Sequence, residues 1–497
     1  MSKRYFIFNS EPGVDILSLN PIVRAIISKE LAIFVGKGIP RIAYEFSEGI
    51  VRAMVLKKEW HDWGEFVYNR LITEPGFDRS IVKNSEKYVG KIYDIAKKTL
   101  KNLEEHKIDD LKRKKVIKVF FNLYFELCVY GITGAIIELG SARSSQDLKK
   151  LIKSKIEDKR QINEYLSILG FIDVETYDQK VHEDLAKIAQ EIYSNELEMN
   201  NLPLKIVRKV ERHVAKWAWV TYGYTGPEYS LTGAYDSLIT MLSSDIPPLK
   251  QIQIMKKQSQ VKKEQRDGII KHLKLSDSEM RIIKVAENIS YVKIIRTPMM
   301  FLSNYVIHKL MEPFLKKEGI TMKQAGMMTM REMYHYMDAG EFPNINILNR
   351  RWKYCVLFDS EEGESFLYNS EAKQWVENNV VKEEISNNGR ELSGQVACAD
   401  KRDKIRGVVK IVNGPEEMVK FNQEDILVSI ATTPDIVPAM KKAKAIISDI
   451  GGMTCHAAVV SRELGVPCIV GTKFASRFFK DGEEVEMDML EGIIKKI

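Results

Sequence analysis

Residues 76–202 of this 497-residue chain contain no proline. Proline ends helices by removing a backbone N–H and clashing with the preceding turn, so a 127-residue stretch without one admits long uninterrupted helices. The stretch is rich in Leu, Ile, Lys and Glu, with apolar residues three and four apart, which predicts helices with one buried face. Within it, SARSSQDLKKLIKSKI and DVETYDQKVHEDLAKIAQEIYSNELE each open on Ser, Thr or Asp suited to N-caps. Its most apolar run, residues 116–139, carries Lys118, Asn122 and Glu126 four apart, one polar stripe along a bundle helix rather than a membrane span. A second helical block is predicted over residues 275–338.

The length suggests about three domains at roughly 150 residues each. With 44% hydrophobic and 29% charged residues the chain is globular, which excludes disordered and collagen-like classes. The net charge of +7 is mild and lies before Glu391, since the 15 basic and 16 acidic residues from there on cancel. The basic runs at 112–115 and 256–263 read as helix surface or subunit docking, so no nucleic-acid partner is expected. Five cysteines show no CxxC pair and no metal-ligand spacing, and residues 1–13 lack an apolar signal core. A reduced, cytoplasmic protein without a metal site or a membrane anchor is expected. GKG at 36–38 lacks the third glycine of a dinucleotide fingerprint, and no P-loop motif occurs.

After Gly340 the texture changes. YCVLFDSEEGESFLYN predicts a β-hairpin, and beyond residue 390 short apolar runs (GVVKIV, DILVSI, AIIS, PCIVG) alternate with glycines, closing on the hairpin-like EEVEMDMLEGIIKKI. The predicted organisation is a helical region over 1–338, a hairpin and helix connector over 339–390, and an α/β domain over 391–497.

The most informative segment is AKAIISDIGGMTCHAAVVSRELGVPCIVGT, residues 443–472. AIIS predicts a buried strand, Gly451 and Gly452 a turn with positive φ, and Thr454 an N-cap for a helix stopped at Gly465 and kept closed by Pro467 before the strand CIVG. Cys455 and His456 would then be the first two helical residues, the imidazole beside unpaired backbone N–H groups. Such a terminus stabilises an anion and disfavours imidazolium, which suits a neutral histidine that accepts and hands on a phosphoryl group. A capped helix with an incidental histidine is the alternative. His456 is the sole histidine after His335.

GGMTCHAAVVSRELGVPCIVGT closely resembles the phosphohistidine signature of the phosphoenolpyruvate synthase and pyruvate phosphate dikinase family, whose swivelling domain carries a phosphoryl group between distant sites. The resemblance extends upstream through GQVACADKRDKIRGVVKIV and the T-x-P-x-x-x-P segment of DILVSIATTPDIVPAMKKAKAII, and downstream through DGEEVEMD, about 105 residues in all. It implies a C-terminal swivelling phosphohistidine domain, with His456 phosphorylated and Gly452 and Thr454 supporting the phosphoryl group. Only 41 residues follow His456, so the pyruvate-binding barrel of the complete enzymes is not expected, and residues 1–390 read as helix bundle rather than as ATP-grasp. The layout resembles rifampin phosphotransferases without their ATP-grasp module and the histidine-bearing subunits of phenylphosphate synthases. ATP and Mg²⁺ are accordingly expected on a partner ATP-grasp subunit, with no cofactor on this chain.

The helical region would then bind a small hydroxyl-bearing acceptor. Trp217, Trp219 and Tyr222, in an aromatic stretch broken by glycines, are pocket candidates, with core packing as the alternative. His213 is a candidate general base, its alternative a surface or core histidine. Lys293 and Arg296, one turn apart, are candidates for the phosphoryl group, with a solvated helix face as the alternative. A different function class is a phosphocarrier or regulatory module that passes phosphate to another protein.

Overall fold

The computed structural model describes residues 5–132, 134–360, 362–381, 391–398, 402–433, 436–452 and 455–497. The two predicted textures are present, mostly helical first and α/β at the C-terminus. The helical region over 1–338 also holds strands that the sequence reading does not place. Strands β1 (Tyr5–Pro12), β2 (Arg41–Ser47) and β3 (Ile50–Leu56) are followed much later by β4 (Cys355–Ser360) and β5 (Gly363–Tyr368). They form one antiparallel sheet in the order β1-β3-β2-β4-β5. The β2–β3 turn places Glu48 and Gly49 at φ 48° and 87°, the paired positive φ of a tight hairpin. Residues 42–46 and 53–56 are buried on both faces, so the two-residue alternation that announces a strand is missing. The predicted hairpin at 355–368 forms, and Tyr44 pairs with Leu357, so this part of the expected connector belongs to the N-terminal sheet.

The helices follow the proline-free text. Helix Pro75–Glu104 starts on its proline, where the missing N–H costs nothing. It buries Phe77, Ile81, Ser85, Tyr88, Ile92, Ala96 and Thr99, three or four apart, against the 42-residue helix Asp277–Glu318. A capping box of Ser276 and Glu279 opens that long helix, and Gly319 closes it in the left-handed conformation. Thr176 likewise opens helix Tyr177–Ser194 with a capping box. SARSSQ, in contrast, lies inside helix Gly134–Lys155, and the expected single helix over 116–139 is divided at Gly131 and Ile132 between that helix and Asp110–Tyr130. Its polar stripe borders helix Met330–Ala339: Lys118 pairs with Asp338, and the Tyr334 hydroxyl donates to Asn122 at 2.9 Å. Among the described residues no helix is long and apolar enough to cross a membrane.

The C-terminal domain comprises β6 (Glu391–Ser393), β7 (Gln395–Cys398), β8 (Lys404–Ile411), β9 (Ile426–Ser429), β10 (Ala445–Ser448), β11 (Cys468–Val470), β12 (Glu484–Asp488) and β13 (Ile493–Lys496). The order is β6-β13-β12-β8-β9-β10-β11-β7, with β8, β9, β10 and β11 parallel. Its α-facing core is continuous with side chains of the helical region: Leu148, Ile152, Ile162, Leu166, Ile269 and Leu273 pack with Ala397, Phe421, Met440 and Ala458.

Near the start of the long helix, Arg281 grips Asp78 with two hydrogen bonds of 2.9 and 3.1 Å and reaches the final carbonyls of helix Lys57–Thr73. Asp78 is almost wholly buried and also accepts from Asn288 at 2.5 Å. Asp78→Ala is expected to lower stability by about 3–5 kcal/mol, because it strands a guanidinium in the interior; urea unfolding of wild type and variant checks this.

Candidate functional site

The predicted strand, helix, strand crossover forms between β10 and β11, which pair in parallel around helix His456–Leu464. Gly465 ends the helix at φ 68°, as expected. The cap differs by one residue. Cys455 occupies it, with Sγ accepting from Ala458 N at 3.4 Å, so His456 is the first helical residue. Thr454, the expected cap and phosphoryl-supporting residue, lies outside the described residues.

Gly451 alone of the two turn glycines has positive φ, 111°. A Cβ there would meet Cys455 Cβ at 2.4 Å, so the loop folds back on the cap only because that side chain is missing. Gly452 accepts from Cys455 N at 3.0 Å, and a Cβ on it would meet open space. Behind the loop, buried Asp449 accepts from Thr472 Oγ1 at 3.0 Å and from Ser476 N at 3.2 Å, anchoring the chain just before the glycines.

His456 Nδ1 lies 2.8 Å from Thr432 Oγ1. We assign the proton to Nδ1, donating to Thr432, which leaves the lone pair on Nε2. Nε2 is buried and has no hydrogen-bond partner among the described residues. A buried polar atom left unmatched costs about 1–3 kcal/mol, and here the atom is the free nitrogen of an imidazole at a helix N-terminus. Burial pushes the imidazole pKa down to about 4, so the ring is neutral at pH 7. Neutrality was expected from the helix terminus; its cause here is desolvation. A neutral ring with Nδ1–H held and Nε2 bare is a nitrogen nucleophile, and the first-turn N–H groups supply positive potential for an incoming anion. Thr432 was not singled out from the sequence. Its signal was the T-x-P-x-x-x-P segment, whose first residue it is.

The remaining candidates sit elsewhere. Trp217, Trp219 and Tyr222 are buried in the main core of the helical region, whereas Ala457 and Ala458 beside His456 belong to a separate core. Trp217 Nε1 donates to Asp184 at 3.0 Å, and Trp219 meets Tyr177 edge to face at 5.0 Å. The Tyr222 hydroxyl lies 2.8 Å from His308 Nδ1. His213 is buried on the other side of Asp184, its Nδ1 3.5 Å away, and burial lowers its pKa. Arg296 is buried against Ile132, whose carbonyl accepts from Nη1 at 3.2 Å; Lys293 is half-buried one turn earlier. The structure thus groups His213 with Trp217 on Asp184 and leaves Tyr222 and Arg296 in other settings.

Residues 421–492 match the family described as PEP-utilising enzyme, mobile domain. Over 88 residues the chain is 57% identical to a probable phosphoenolpyruvate synthase of Archaeoglobus fulgidus, covering 18% of this chain and 12% of that protein. It is 50% identical over 90 residues to phosphoenolpyruvate synthase of Pyrococcus furiosus, 18% of this chain and 11% of the relative. The Pseudomonas aeruginosa phosphoenolpyruvate synthase is 46% identical over 86 residues, 17% and 11% respectively. The chain therefore spans about an eighth of the length of the curated relatives it matches. Their similarity supports assignment of the C-terminal domain to the phosphoenolpyruvate synthase and dikinase group.

Two outcomes follow from the geometry. In ¹⁵N NMR spectra His456 should stay neutral and Nδ1-protonated as pH falls from 8 to 5, and titrate near its lowered pKa of about 4; an ordinary midpoint near 6.5 would contradict its burial. Thr432→Val removes the partner of Nδ1 and is expected to slow phosphorylation of His456 about tenfold, with Thr432→Ser restoring the rate, as followed by intact mass.

Proposed function

We propose that this protein is a phosphotransferase subunit that carries a phosphoryl group on His456 Nε2. The observation that carries the reading is the neutral imidazole at a helix N-terminus, with Nδ1 held by Thr432 and Nε2 unmatched among the described residues, inside a mobile-domain match. In the charging step the Nε2 lone pair forms an N–P bond as the P–O bond of the donor breaks. In the discharging step the acceptor hydroxyl forms the new P–O bond, its proton goes to a base, and the N–P electrons return to Nε2. Phosphoryl transfer asks little covalent chemistry of the protein and much positioning. Thr432 fixes the ring, and the Gly451–Gly452 turn brings the loop back onto the helix cap beside it.

The proposed donor is a separate ATP-grasp protein that binds ATP and Mg²⁺, and the proposed acceptor is a small hydroxyl compound bound by the helical region. Both rest on the resemblance in layout. A second reading, a carrier that passes phosphate to another protein, is favoured by one observation: Trp217, Trp219 and Tyr222 are packed in a core. Soaking phosphorylated protein with hydroxyl compounds, against mixing it with candidate proteins, separates the two by where the phosphate goes.

Incubated with an ATP-grasp partner and ATP labelled in its β and γ phosphates, the chain should gain acid-labile, base-stable label, and His456→Ala should gain none. Label that persists in His456→Ala would sink the reading.

A further inference from the structure

Among the described residues of 391–497, two buried side-chain polar atoms lack a hydrogen-bond partner, His456 Nε2 and Thr433 Oγ1. They belong to the two sides of one joint, since Thr433 follows Thr432, whose Oγ1 lies 2.8 Å from His456 Nδ1. The segment that carries both threonines is held from either end. Before it, Ile430 N donates to Asn413 Oδ1 at 2.8 Å and Ser429 Oγ donates to the Ala431 carbonyl at 2.9 Å; after it, Ile436 N donates to the Thr433 carbonyl at 3.2 Å. An idle buried hydroxyl costs free energy that valine, of nearly the same shape, would not cost.

A phosphoryl group on Nε2 changes that balance. It brings negative charge and three acceptor oxygens, which need donors when they are formed on a buried atom. The helix cap has already spent part of its supply. Of the four N–H groups that a helix N-terminus leaves open, that of Cys455 goes to the Gly452 carbonyl at 3.0 Å and that of Ala458 to Cys455 Sγ at 3.4 Å. A threonine hydroxyl is a rotatable donor, and its hydrogen bond to an anionic oxygen is about twice as strong as one between neutral groups. We propose that the Thr433 hydroxyl is the side-chain donor to a phosphoryl oxygen on His456 Nε2, acting on the transferring group while Thr432 acts on the ring. The proposal rests on His456 being the phosphoryl carrier. It divides the T-x-P segment by role: the first residue orients the nucleophile, and the residue at x stabilises charge on the phosphoryl oxygens.

The test uses the full chain and phosphoramidate, a small donor whose P–N bond breaks, releasing ammonia, as Nε2 forms its N–P bond. Followed by intact mass, Thr433→Val should be labelled about tenfold more slowly than wild type, and Thr433→Ser at close to the wild-type rate. Valine removes a hydroxyl that has no partner among the described residues, so the urea midpoint of unloaded Thr433→Val should be no lower than that of wild type. In ¹⁵N spectra of the same variant His456 should stay Nδ1-protonated, which sets the effect apart from loss of the Thr432 contact. Wild-type labelling of Thr433→Val, slow labelling of Thr433→Ser, or a lowered urea midpoint in Thr433→Val would overturn the proposal while leaving the carrier reading intact. Equal labelling of wild type and His456→Ala would overturn the carrier reading, and the proposal with it.

Discussion

The ion pair between Arg281 and Asp78 sits where the main core of the helical region meets the core shared with the C-terminal domain. Arg281 belongs to the opening turns of the 42-residue helix Asp277–Glu318 and joins it to the start of helix Pro75–Glu104 and the end of helix Lys57–Thr73. Two residues on, Ile283 packs in the core shared with the C-terminal domain; from Val285 onward the same helix serves the main core. At 1.5 Å per residue that helix is about 60 Å long, so a small change of angle at its start would displace everything packed further along. A buried, bidentate pair resists such a change better than apolar contact, because its geometry is directional.

The His456 site depends on a different constraint, the close return of a loop onto a helix cap. Gly451 leaves the space that Cys455 fills, and Asp449 anchors the chain before it. The result places His456 on the first turn with Thr432 across from it. The link between the two halves is mechanical, through Arg462, Glu463 and helix Lys159–Leu169.

Much of this was legible in the residues. The strand at 445–448, the helix stopped at Gly465 and the strand at 468–470 were predicted from local signals, because glycine and proline act within a few residues of themselves. The hairpin at 355–368 was legible for the same reason. Strands β2 and β3 were not, since a strand covered on both faces loses its alternation, and β4, the outer partner of β2, lies some 300 residues away. The aromatic stretch around Trp217 shows the converse limit. Composition alone does not distinguish a pocket lining from a packed core, as both require large apolar side chains.

The sequence by itself determined the local frame of the site: one histidine opening a helix after a glycine turn, in a segment that matches the PEP-utilising enzyme mobile domain. Only the tertiary structure decided that Nδ1 faces Thr432 while Nε2 is left unmatched among the described residues, and that burial keeps the ring neutral. The reason is physical. A motif specifies bonds made within a few residues, whereas the setting of a side chain depends on what other segments bring to the same place, here Thr432 from another loop.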